Sequence, residues 1–204
     1  IMAILATISF PAIKMATMAG QMTRATSDAR SIGMGLRAWA TDSDGLFPVG
    51  EVEEGEELET SNDVFRLLIP DYVDNERIFA NGRSVVGRNA DNRFDEEEEV
   101  LEAGENHYAY VAGLTTTSRS SWPLVVDGTN GSGYYVSEQA SKGGCWEGTK
   151  AIVAYVGGNA GAVKLKGDKG GDRFIPRDGY PEENALDVES YMGDSVELLE
   201  PEEG

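Results

Sequence analysis

The sequence predicts an α+β fold in which one long N-terminal helix packs on a small antiparallel β-sheet. Three observations carry this: an apolar run at the start, a helical stripe continuing from it, and a change to short strand-like segments after residue 106. The division expected is 1–45 for the helix and 46–204 for a globular β domain with acidic loops and tail.

Residues 1–13 (IMAILATISFPAI) are apolar except for Thr7, Ser9 and Pro11. A membrane-spanning helix needs about 20 such residues, so this run alone is too short. It lacks the basic front end of a signal peptide, and the expectation is a processed or truncated N-terminus with more apolar sequence upstream. An ordinary buried helix is the plainer alternative. Beyond it, Met15, Met18, Met22, Ala25, Ala29, Ile32, Leu36 and Trp39 recur at alternating intervals of three and four, which puts them on one helix face. Lys14, Arg24, Asp28, Arg30 and Arg37 fall elsewhere. A helix from near Ile1 to about Ala40 would be roughly 60 Å long. Pro11 is expected to kink or loosen it, and Gly20, Gly33 and Gly35 to weaken it by about 1 kcal/mol each. Such a rod cannot bury both halves in one small domain.

Gly45 and Pro48 end the helix. An acidic loop, 51–59, precedes a short helix from Asp63 with Asn62 or Asp63 as N-cap. Residues 81–105 read as an exposed charged insertion. Strands are expected at 107–114, 122–126, 133–137, 151–156 and 160–165, with hairpins at 127–133 and 157–161. The tail from Asp178 reads as a short helix or a loose strap.

Composition removes several functions. The 204 residues carry 36 acidic and 17 basic side chains, a formal charge of -19, so no basic surplus exists for binding nucleic acid. A single cysteine and a single histidine exclude a Cys/His zinc site and an intramolecular disulfide. His107 has no serine or cysteine partner suggested by the sequence and reads as structural; Cys145 reads as a small buried hydrophobe. With so many acids, a glycosidase-like carboxylate pair carries almost no signal. No catalytic residue is assigned, and the chain reads as a non-enzyme. Calcium is the one cofactor worth weighing. Asp42 and Asp44 lie in an EF-hand-like Asp-Ser-Asp-Gly with Glu51 at the closing position, although Ala40 holds the first position and Pro48 interrupts; a helix-ending turn is the better reading. Asp127 in Asp-Gly-Thr-Asn offers oxygen ligands, yet Asp-Gly is equally a turn signal. Asn130-Gly131-Ser132 matches a glycosylation sequon.

The order of parts (apolar helix, proline, amphipathic helix, acidic Gly-Pro turn, antiparallel sheet) resembles type IV pilins and type II secretion pseudopilins. Residues 3–11 (AILATISFP) are similar to the later part of their N-terminal helix. Residues 29–33 and 39–48 (WATDSDGLFP) resemble the helix end in pilin-like proteins of planctomycetes and verrucomicrobia. Tyr108-Ala109-Tyr110-Val111, residues 122–128 (WPLVVDG) and the 152–165 hairpin resemble that group's sheet. Gly157-Gly158-Asn159 departs from the Asp-Gly-His often found there. The glutamate near the mature N-terminus that guides insertion in the family is absent here, and about eleven further residues in front of Ile1 would contain it.

The resemblance implies a structural subunit of an extracellular, cell-surface filament with an inner-membrane precursor stage. Its partners would be copies of itself and, earlier, an inner-membrane assembly machinery. Filament contacts would come from Ile1, Ile4, Leu5, Ile8, Phe10, Pro11, Met15, Met18 and Met22, the methionines adapting to varied neighbours. Pro11 and Gly20 would let the helix loosen on leaving the bilayer. The alternatives are a major pseudopilin and a membrane-anchored module binding calcium or glycan.

Overall fold

Helix α1 (Met2–Asp42) runs without interruption through Pro11 and the three glycines. The computed structural model describes residues 2–49, 58–84, 87–93, 99–167 and 171–204, with side chains from Ile13 onward. Most of the acidic loop 51–59 and much of the acidic run 95–99 therefore lie outside the described residues. α1 stops where Gly45, at φ 83°, donates its N–H to Ala40 O.

Among the described residues, the remaining elements are helices α2 (Ser61–Arg66) and α3 (Glu189–Met192), a 3-10 turn (Glu76–Ile78), and nine strands. These are β1 (Tyr108–Ala112), β2 (Pro123–Asp127), β3 (Lys150–Tyr155), β4 (Ala160–Lys164), β5 (Lys166–Gly167), β6 (Arg173–Phe174), β7 (Pro176–Arg177), β8 (Tyr180–Asn184) and β9 (Glu197–Leu199). The main sheet is antiparallel with order β4-β3-β2-β1-β9; β5-β6 and β7-β8 are separate two-stranded ribbons.

Strand alternation divides the core. Tyr108, Tyr110, Ile152 and Ala154 face α1, where they join Ala25, Ala29, Ile32, Leu36 and Ala40. Ala109, Val126, Ala151 and Val153 face the opposite layer with Tyr135, Leu165, Ile175 and Leu186. Burying a side chain such as Ile32 or Leu36 contributes about 1.5–3 kcal/mol. Two tyrosines tie the layers by polar ends: Tyr108 donates to Ala25 O at 3.2 Å and Tyr110 to Pro48 O at 2.9 Å.

Several expectations are corrected. The N-cap of α2 is Thr60, in a reciprocal capping box with Asp63. No strand forms at 133–137, and 127–133 is not a hairpin. Thr129 Oγ1 accepts the N–H groups of Gly131 and Gly133, and Asn130 Oδ1 those of Ser132 and Tyr134. These side chains take the donors that a ladder would use, leaving one bridge between Tyr135 and Arg173. The tail forms the short helix expected as one alternative, α3, and is otherwise no loose strap, because β9 completes the sheet beside β1. Nor is 81–105 simply exposed: Asn81, Ala90, Leu101 and Glu105 are buried. Arg66 draws this segment inward by donating to Val100 O and Leu101 O.

The glycines of α1 also do more than weaken it. A Cβ at Gly35 would lie 2.8 Å from Val73 Cγ2, whereas one at Gly20 would meet nothing within 4 Å. Overpacking costs about 1–3 kcal/mol, more than the roughly 1 kcal/mol of helix propensity that alanine supplies. Gly35→Ala is therefore expected to lower stability by about 1 kcal/mol in urea unfolding, and Gly20→Ala to cause no loss. Equal midpoints for the two variants would contradict this packing.

Candidate functional site

The first candidate is the face of α1 that its own domain does not cover. Met18 and Met22 pack partly against the core, but Met15 is 71% exposed and Ile13 63% exposed. The stripe expected to be continuous from Met15 thus loses its intramolecular cover toward the N-terminus. Lys14 pairs with Glu147 at 3.0 Å, the first described side-chain tie between α1 and the globular part. Ile4, Leu5, Ile8, Phe10 and Pro11 belong to the helix, but their side chains, and Ile1 altogether, lie outside the described residues. Among the described residues, no helix is long and apolar enough to cross a membrane.

The three carboxylates considered for calcium are not brought together. Asp42 accepts from Tyr72 Oη at 2.9 Å, and Asp44 sits in the exposed turn at φ 53°. Asp127 is buried, accepting from Trp146 Nε1 at 2.7 Å, Asn81 Nδ2 at 3.3 Å and the Ile152 N–H. Burial pushes its carboxyl up to about 7, against the pull of those three donors.

A different acidic cluster appears. One carboxylate oxygen from each of Glu76, Asp91 and Glu105 lies within 4.8 Å of the others. Glu76 and Glu105 are buried and Asp91 is exposed. Glu76 accepts the N–H groups of Leu101 and Asn92, and Glu105 accepts that of Glu102 at 3.0 Å. Burial raises the pKa of both glutamates, and the charge of Glu76 raises Glu105 further. The three oxygens, two buried and one exposed, are close enough together to share one hard cation. Its members are 15 and 14 residues apart in a segment that reads only as charged, so sequence spacing gives no sign of it.

The fold also brings His107 and Cys145, far apart in the sequence, into one cavity of about 310 Å3 lined with Asn81, Asp127, Thr129 and Gly143. The ring does not meet an activated thiol. His107 Nδ1 accepts the Asn81 N–H at 3.1 Å. Burial, followed by the charge of Asp127, raises the Cys145 thiol well above its usual range. The cavity offers neutral hydrogen-bonding groups such as Asn81, Thr129 and Gln139 beside the charged Lys142, Glu202 and Glu203.

Comparison with protein-family models, with characterised protein sequences and with solved structures finds no match.

The raised Asp127 carboxyl has a consequence for stability. It titrates near 4 when unfolded and at about 7 when folded, so the folded chain holds an extra proton between those values. The contribution is present below pH 4 and is lost as pH rises through 7. Asp127→Asn is expected to flatten the fall in melting temperature between pH 5 and 8 by roughly 5 °C. Parallel profiles for the variant and the original chain would contradict it.

Proposed function

We propose that the chain is the structural subunit of a type IV pilus-like extracellular filament, assembled through its N-terminal helix. The observation that carries this reading is the division of α1. Its C-terminal half is buried on the sheet, while Ile13 and Met15 at the other end stand exposed. Uncovered apolar surface costs about 25 cal/mol per Å2 in water, so copies of the same helix are its natural shield. Subunits joined head to tail by a rotation that does not close form a helical filament. The helices make its core, and sheet domains of strongly negative charge make a soluble coat.

Electron microscopy of material sheared from the cell surface is expected to show filaments containing this chain. Ile13→Asp combined with Met15→Asp is expected to abolish them while the monomer's circular dichroism and melting stay unchanged, because neither side chain is part of the core. Filaments of normal length from the double variant, or a chain recovered only as a detergent-extracted monomer, would overturn the proposal.

For the acidic cluster, we propose calcium, since three carboxylates without nitrogen or sulfur suit a hard cation. Calcium is expected to raise the melting temperature by several degrees through preferential binding to the folded state, and Glu105→Gln to remove that response. A midpoint unchanged by calcium and by chelation would eliminate the assignment.

A further inference from the structure

Away from α1, the β7-β8 ribbon, the start of β2, the β3-β4 turn and α3 enclose a groove of about 700 Å3. This lies within the about 300–1,000 Å3 usual for ligand pockets. Its wall is an ordered stack. The Arg177 guanidinium lies 4.1 Å from the centroid of the Tyr180 ring and 4.4 Å from that of Tyr191. Trp122 meets Tyr191 edge-on at 6.1 Å, and Tyr191 Oη is fixed by donating to Ala185 O at 2.7 Å. Rings held this way lose little entropy when a ligand covers them. Tyr180 is 55% exposed, one of the few large hydrophobic side chains left open among the described residues.

The polar groups of the groove are balanced. Arg119 pairs with Asp178 at 3.1 Å and Arg177 with Glu183 at 2.6 Å, so the two cations are each matched by a carboxylate. In a chain of net charge -19, this is a locally neutral patch. Asn159, Ser120 and Ser121 add groups that both donate and accept, and Ser121 Oγ has no hydrogen-bond partner among the described residues. Aromatic faces with neutral, mixed donor-acceptor chemistry suit a molecule that has C–H faces and many hydroxyls and bears no charge. A polyanion would meet the repulsion of the whole domain, and an aliphatic chain would offer Ser121 Oγ and the neighbouring polar groups no hydrogen-bond partner.

We infer that this groove binds a neutral oligosaccharide. A sugar ring lies on the Tyr180 face, and the exposed Arg119–Asp178 pair donates to and accepts from its hydroxyls. The inference stands apart from filament assembly, since neither Ile13 nor Met15 borders the groove.

The test titrates the chain with cellohexaose, maltohexaose and chitohexaose by calorimetry, with galacturonic acid oligomers as the anionic comparison. Saturable binding to at least one neutral hexasaccharide is expected. Tyr180→Ala should weaken it by roughly tenfold or more, as for an aromatic contact residue, while Tyr180→Trp should retain it. Arg119→Gln, an exposed position outside the core, should also weaken it. No binding of any neutral hexasaccharide, binding confined to galacturonate, or affinity unchanged in Tyr180→Ala would each overturn the inference.

Discussion

The fit of small residues on α1 against the sheet governs the rest of the molecule. Ala25, Ala29 and Ala40 are buried there, and a Cβ on Gly33 would already touch Ala154 Cβ at 3.6 Å. So close an approach fixes both the distance and the direction of the helix, and the Tyr108 hydroxyl bonded to Ala25 O adds a directional tie. With its second half held this firmly, a continuous helix has no freedom to turn its first half onto the same sheet. The exposed apolar end follows from the buried one.

The other end of the chain is secured by polar contacts. Glu200 accepts from Thr129, and Glu202 accepts from Arg66 and donates its N–H to Asn62 Oδ1. Asn106 Nδ2 donates to Ser61 Oγ and Asn62 Oδ1 in the same buried network. These bonds carry β9 into the sheet. Buried amides and hydroxyls would be costly if unpaired, so the network makes the tail part of the fold and closes the sheet edge that β1 would otherwise expose.

Periodic hydrophobic pattern made the long helix, its end at Gly45, four of the five expected strands and the 157–161 hairpin legible. Each is a regular element with a repeating face. What pattern could not carry is side-chain-to-backbone bonding. Thr129 and Asn130 dismantle the expected strand at 133–137, and Thr60 takes the cap assigned to its neighbours. The acidic cluster was hidden because Glu76 is separated from Glu105 by a segment whose charge resembles any solvated loop. His107 and Cys145 come to line one cavity only through the long connection between β2 and β3. The aromatic groove draws Trp122, the Arg177–Tyr180 ribbon and Tyr191 from three places, and no local spacing announces it.

Sedimentation velocity of the intact chain in detergent-free buffer tests the central claim most directly. The account predicts large, concentration-dependent assemblies in which amides of residues 13–20 become protected from hydrogen exchange. A single species of 21.9 kDa, with that stretch protected by its own domain, would contradict it.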